Sequence, residues 1–371
     1  VGPPPAGVSR RAEARRGRLS LLRHPVPVHR RTTEGSSLKI IVVAPSWIGD
    51  TILAQPLLAR LQQRHTGAAI DVLAAAWSAP LLARMPQVRR VIDSPFVHGR
   101  LDFAARRAVG RRLAQEAYDQ AIVLPNSWKS ALPVFFAGIP QRTGFSGEAR
   151  WGLLNDRRPL DKTALPLLAE RYAQLAEPPG LPPQRPLQLP RLTSTAEQQR
   201  SVRHSLGLAT DAAPLVFCPG AEYGPAKRWP ARHFAALATR LASPEQPAWL
   251  LGSAKDGEMG AEIERLAHGC ALNLCGRTSL PQVIDLIAGA RCVVSNDSGL
   301  MHVAAALDRP LVALFGSSSP GYTPPLSNRA HIATLRLSCS PCFKRVCPLG
   351  HLRCLEDLTP DRIAAAIAEL S

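Results

Sequence analysis

The stretch CVVSNDSGLMHVAAALDRPLVALFGSSS, Cys292 to Ser319, reads as strand, tight loop, helix and strand. Cys292-Val293-Val294 is a short apolar run, Leu300 to Leu307 carries helix formers, and Leu311 to Phe315 turns apolar again after the stop at Pro310. That order is one βαβ unit. Between its first strand and its helix lies Asn296-Asp297-Ser298-Gly299. There Gly299 lets the backbone come close to a ligand, and Ser298 can cap the helix while offering a hydroxyl. A helix N-terminus with free amides attracts anions, so the loop suits a phosphate-bearing ligand. The same residues also serve as an ordinary capped helix in an α/β core. His302, on the helix's first turn, is open to either a structural or a ligand-facing role.

Upstream, Lys39 to Ala44 is a buried-strand run followed by Pro45-Ser46-Trp47-Ile48-Gly49-Asp50 and the helix-like TILAQPLLARLQQR. Gly49 frees the turn. Asp50 stands where an N-cap stands, and also at the C-terminal edge of a first strand, where open α/β sheets bind ligands. Further strands are expected at Ile70 to Ala74, Arg90 to Ile92 and Gln120 to Leu124, with helical sequence between them, for example Phe103 to Glu116. The alternation predicts a mainly parallel sheet. A polar loop, Asn126 to Ala131, then enters the apolar LPVFFAGI, with Arg142, Arg150, Arg157 and Arg158 soon after. Cations beside Asn and Ser could hold an acidic acceptor; a solvated basic face is the plainer alternative.

Residues 177–192, EPPGLPPQRPLQLPRL, hold six prolines and read as a stiff linker. A second βα series starts at Leu215 to Cys218 and continues through Trp249 to Leu251, Leu272 to Leu274, Cys292 to Val294 and Leu311 to Phe315. The domains expected are thus 38–176 and 193–371, both doubly wound, with the final helix, Pro360 to Leu370, packing back on the first. Neither G-x-G-x-x-G nor G-x-x-x-x-G-K-[ST] occurs, which removes the main support for a Rossmann dehydrogenase or a P-loop enzyme. Instead, Pro219 to Pro230 offers two glycines and Lys227 to a diphosphate, or forms a surface turn before a Pro-initiated helix. Gly252 to Glu258 places carboxylates where a ribose diol could bind.

The 371 residues suffice for two domains, and the formal net charge of +17 points to anionic partners. Residues 1–37 carry eight Arg against Glu13 and Glu34 and lack periodicity, so a disordered, dispensable basic extension is expected there. No window approaches the roughly 18 apolar residues of a spanning helix, and no secretory signal is recognisable. Eight Cys without such a signal argue for reduced thiols. Four of them, Cys339, Cys342, Cys347 and Cys354, fall within sixteen residues beside His351. Only the first pair has zinc-knuckle spacing, so free thiols in a folded loop are expected, without a metal.

Six motifs in fixed order, APSWIGD, NSWKSALPVFFAGIPQRTG, CPGAEYGPAKRWP, LLGSAKDGE, SNDSGLMHVAAAL and SCSPCF with its following Cys and His, resemble the lipopolysaccharide heptosyltransferase II family of glycosyltransferase family nine. The resemblance covers residue 38 to the end. It implies a GT-B fold, two Rossmann-like domains facing a cleft, the first binding the acceptor and the second ADP-heptose. It implies inverting transfer of L-glycero-D-manno-heptose to the heptose already on Kdo-lipid A, at the cytoplasmic face of the inner membrane. Carried onto this chain, Asp50 would be the general base. Lys227 and Asn296 to Gly299 would hold the diphosphate, Asp297 and His302 would face the sugar and phosphate, and Glu258 or Asp256 would take the ribose. Lys129, Arg142 and Arg150, together with Ser46, Gly49 and Asn126, are assigned to the acceptor. No cofactor is expected. A related transferase acting on a neighbouring core position, a GT-B nucleotide-sugar epimerase and a basic nucleic-acid-binding protein stay as alternatives, although no nucleic-acid motif is present.

Overall fold

Two six-stranded sheets organise the chain, and every strand pairing in them is parallel. The computed structural model describes residues 37–96, 99–209 and 213–370. Apart from Ser37, the extension expected at residues 1–37 lies outside them. The first sheet comprises Lys39–Val43 (β1), Ala69–Ala74 (β2), Arg90–Asp93 (β3), Gln120–Val123 (β4), Gln141–Phe145 (β5) and Asp156–Arg158 (β6), in the order β3-β2-β1-β4-β5-β6. The second comprises Leu215–Cys218 (β7), Ala248–Leu250 (β8), Ala271–Asn273 (β9), Cys292–Asn296 (β10), Leu311–Leu314 (β11) and Ala330–Ala333 (β12), in the order β12-β11-β10-β7-β8-β9. Both are the same doubly wound arrangement. In each, the order reverses beside the first strand, between β1 and β4 and between β7 and β10.

The central strands are continuous apolar runs because helices cover both faces of a parallel sheet. Ile40 pairs with Ile70 on one side and Gln120 on the other, and Val293 pairs with Val216 and Leu311. All these isoleucines and valines are buried. Each contributes roughly 1.5–3 kcal/mol of burial.

Three strands lack the expected pattern. β5 (QRTGF), β6 (DRR) and β12 (AHIA) are polar or short and lie on the outer side of their sheets, where little apolar sequence is needed. Asp156, on β6, is paired with Arg158 at 2.6 Å. The polar loop expected from Asn126 is already helical from Trp128, in the helix Trp128–Phe136, which carries Pro133 in its interior.

The final helix, Pro360–Leu370, packs on the second domain, not on the first. Its buried Ile363, Ala366 and Ile367 lie against the helix Ala231–Leu241 and against β11 and β12. A three-to-four-residue apolar stripe matches that flank of its own sheet. The Pro-rich segment is stitched to its surroundings. Gln55 donates to the Arg191 carbonyl and accepts from the Arg191 amide, both at 2.7 Å, and the Leu192 amide donates to the Ala306 carbonyl. Arg84 adds an ion pair with Asp285 at 2.9 Å, joining the two halves.

Candidate active site

Ligands of open α/β sheets bind at the carboxyl ends of the strands beside the reversal of strand order. Here those ends carry the loops after β1, β7 and β10. The helix that follows β1, Ile48–Leu53, packs directly on the helix that follows β10, Gly299–Ala306. Two glycines permit the approach. A Cβ on Gly49 would stand 2.7 Å from Cδ2 of His302, and one on Gly299 would stand 2.9 Å from Cβ of Ile48. Gly49 therefore serves close packing inside a helix rather than the turn expected of it.

Asp50 is not the N-cap; Trp47 holds that position with extended backbone, and Asp50 lies in the helix's first turn. Burial pushes its carboxyl from the ordinary 3.8 to about 6, and the positive charge of Lys227, from the other domain, pulls it partway back. The phenols of Tyr172 and Tyr322 lie within its electrostatic reach and are held up in turn by burial first and by that carboxylate second for Tyr172. A half-shielded carboxylate titrating near neutrality is suited to accepting a proton.

Lys227 Nζ is 2.5 Å from Oδ2 of Asp297, and the Ser318 hydroxyl donates to the same oxygen. The ammonium also lies 5.1 Å from the ring centre of Tyr223, whose hydroxyl donates to the Phe343 carbonyl at 2.8 Å. Asn296 is wholly buried and fully engaged. Its Nδ2 donates to the Pro219 carbonyl at 2.7 Å, and its Oδ1 accepts the Trp229 amide at 3.0 Å. It ties the β7 and β10 loops together. Ser298 takes the N-cap position, but its hydroxyl faces Ser295 Oγ at 3.4 Å instead of capping. His302 is buried, and burial holds its imidazole down at about 4, so the ring is neutral; among the described residues its Nδ1 has no partner.

Asp256 accepts from the amide and hydroxyl of Ser253 and lies over Gly220, where a Cβ would come within 2.5 Å of the carboxylate. Glu258, on the first turn of the helix Gly257–Leu266, is exposed. In the first domain Ser46 is exposed beside Asp50, and Asn126 and Lys129 lie at the entrance to the helix Trp128–Phe136. Two of the basic residues are turned inward. Arg150 is buried, donating to the Pro125 and Phe145 carbonyls and to Asn126 Oδ1, and Arg142 donates to the Leu153 and Ile139 carbonyls. Their guanidiniums brace the loops of the first domain, as backbone carbonyls left bare in that interior would be costly.

Tyr172, Tyr322, Tyr223 and Ser318 were not legible as site residues. Tyr172 and Tyr322 lie outside the quoted motifs, and Tyr223 and Ser318, although inside quoted stretches, carry no spacing signal.

Two doubly wound domains thus bring a buried carboxylate from one within electrostatic reach of a lysine from the other, beside the helix that follows β10. The glycosyltransferase family 9 (heptosyltransferase) model matches residues 106–353. The chain belongs to that family. It is 47% identical to lipopolysaccharide heptosyltransferase 2 of Escherichia coli (strain K12), over 88% of this chain and 96% of that one. It is 46% identical to the protein of the same name from Salmonella typhimurium, over 90% and 98%. The solved structure of E. coli ADP-heptose lps heptosyltransferase II superposes with a TM-score of 0.80 at 45% identity, covering 90% of this chain and 98% of that chain.

Proposed function

We propose that this enzyme moves L-glycero-D-manno-heptose from ADP-heptose to the heptose already on Kdo-lipid A, with inversion at the anomeric carbon. Similarity to heptosyltransferase 2 proteins along nearly the whole chain supports the substrates, and the facing of Asp50 by Lys227 carries the mechanism. The acceptor hydroxyl attacks the anomeric carbon opposite the diphosphate. As the new C–O bond forms, the bond to the phosphate oxygen breaks, the hydroxyl proton passes to Asp50, and ADP leaves with the electron pair. Lys227 and the amides opening Gly299–Ala306 meet the charge gathering on ADP, which is where positive groups speed such a step most. Asp297 and Ser318 hold Lys227 in place, neutral His302 lines the floor, and Asp256 and Glu258 lie at the ribose end. Ser46, Asn126 and Lys129 receive the acceptor; Arg150 and Arg142 act on it through the loops they brace. Nothing in the site favours the epimerase alternative.

Peripheral contact with the inner membrane belongs to the same reading. Among the described residues no helix is long and apolar enough to cross a membrane. Phe103, Arg107 and Arg111 fall on one face of the helix Phe103–Ala114 and are exposed, as are Leu101, Arg100 and Phe135. Such a face suits an anionic lipid surface.

Incubation with ADP-heptose and Kdo-lipid A, with and without its first heptose, tests the reading by mass. One heptose should be added to the heptosylated acceptor alone. Extension of the unheptosylated acceptor, or release of a free sugar in the absence of acceptor, would overturn it.

A further inference from the structure

The chain holds six tryptophans, and their exposure divides by domain. In the second domain Trp229 and Trp249 are buried. In the first, Trp47 is 56% exposed, Trp77 48% and Trp151 70%, and Trp128 is partly exposed. Large aromatic side chains are normally well covered, so several left open on one rim of a domain are informative. All four follow the carboxyl ends of neighbouring strands. Trp77 comes after β2, Trp47 after β1, Trp128 after β4 and Trp151 after β5, each three to six residues beyond the end of its strand. Trp47 and Trp128 therefore flank the reversal of strand order between β1 and β4, and Trp47 stands three residues before Asp50.

The backbone beneath these rings is fixed. The Trp47 carbonyl accepts both the amide and the hydroxyl of Thr51, at 2.9 and 2.8 Å. The Trp128 amide donates to Glu148 Oε2 at 3.2 Å, which ties the β4 loop to the β5 loop. Arg150, the residue before Trp151, ties the same two loops by donating to the Pro125 carbonyl at 3.0 Å and to Asn126 Oδ1 at 2.7 Å. The Asn126 side chain leaves no room for a Cβ on Gly147, so the loops are closely packed. An exposed ring on an immobilised backbone gives up little freedom when a ligand arrives, which favours binding. Cations interleave with the rings. The guanidinium of the exposed Arg157 lies 5.9 Å from the ring centre of Trp151, and Lys129 follows Trp128 directly. Trp77 lies on the other side of β1 from both.

We propose that Trp47, Trp128 and Trp151 form a ledge on which sugar rings of the acceptor stack, with Lys129 and Arg157 pairing with its acid groups. A pyranose presents a face of C–H bonds with slight positive charge, which packs on the electron-rich face of an indole. A carboxylate beside that sugar then meets the neighbouring cation. Adjacent strands lie about 4.8 Å apart, so the loops after β1, β4 and β5 spread over roughly 10 Å, enough for more than one sugar. The ligand class is thus an acidic oligosaccharide rather than a single monosaccharide. This inference rests on the acceptor reading given above and deepens it: Trp47 places the sugar that gives its proton to Asp50, and Trp128 and Trp151 hold the sugars behind it.

The probe is the heptosylated Kdo-lipid A saccharide freed of its acyl chains, titrated into the full chain by calorimetry, with ADP as a separate ligand. Trp128→Ala and Trp151→Ala should each weaken saccharide binding roughly 3- to 10-fold and raise its KM with kcat little changed. Trp47→Ala should weaken binding similarly and lower kcat as well, because its ring abuts the reacting sugar. Phe at each position should restore part of the loss. Trp77→Ala should bind the saccharide like the parent. ADP affinity and melting temperature should hold throughout, since these rings belong to none of the buried clusters and Trp47 makes no side-chain cap bond. If an alanine variant melts early, the phenylalanine variant at that site carries the comparison. Unchanged saccharide affinity in the three alanine variants sinks the proposal, as does a loss confined to the acylated acceptor, which would assign the rings to the lipid surface. A parent that binds ADP but not the saccharide removes the acceptor reading and the ledge with it. A parent that binds both, with variants that bind equally well, removes the ledge alone.

Discussion

Asp50→Asn separates a proton-accepting role from a structural one, because the two make opposite demands on stability. The Asp50 carboxyl is pushed from 3.8 to about 6 by burial. Well below 3.8 it is protonated in both the folded and the unfolded chain. Between 3.8 and about 6 the unfolded chain gives up its proton while the folded chain keeps it, so stability falls as pH rises through that window and stays lower above it. At about 1.4 kcal/mol per pH unit, the ionised carboxylate costs the fold about 3 kcal/mol, an upper bound because the group is only partly shielded. Asn has the same shape and never ionises. Asp50→Asn should therefore be more stable than the parent at about pH 8, by up to about 3 kcal/mol in urea titrations, and equal to it in acid. Over the same range kcat should fall by roughly 10²-fold or more, and the acid limb of the parent's rate profile, lost as pH drops through about 6, should vanish. ADP affinity should hardly change. An Asn variant that turns over within a few-fold of the parent, or that is less stable at pH 8, would refute the assignment.

Lys227→Ala should weaken ADP binding in calorimetry and slow transfer, and the acid limb of any residual activity should move above about 6, since Lys227 holds the Asp50 carboxyl down; unchanged ADP affinity would remove Lys227 from the site. Gly49→Ala should cost roughly 1–3 kcal/mol through its collision with the His302 ring. The double variant with His302→Ala should recover part of that loss, a non-additivity that denaturation of all four proteins would measure. Asn296→Ala strands the buried Trp229 amide and Pro219 carbonyl and should cost roughly 2–4 kcal/mol, lowering the melting temperature along with activity.

The nine strands expected from apolar runs all formed within a residue or two at most ends, because a strand buried on both faces must be apolar throughout. β5, β6 and β12 escaped notice, since a strand on the outer side of a sheet takes its register from its neighbour and needs no pattern of its own. Asp50, Lys227, Asp297 and His302 were legible as candidates because loops after parallel strands punctuate the sequence with Gly, Asp and Ser, and because six motifs appear in family order. The same loops invited a uniform reading that the structure divides. Arg150, Arg142 and Asn296 looked as available as Lys227, yet each hydrogen-bonds backbone carbonyls of neighbouring loops.

By itself the sequence determined where the apolar strands lie, that there are two parallel-sheet domains, and which loops carry polar groups to the strand ends. These follow from local composition and period, which neighbours along the chain decide. Only the tertiary structure decided which of those groups meet. Gly49 faces His302 and Asp50 comes within electrostatic reach of Lys227 across more than 170 residues of chain, and Tyr172 and Tyr322 lie within reach of the same carboxylate. Proximity between distant residues, and the burial that raises the pKa of Asp50, arise only when both sheets are folded and their edges brought together.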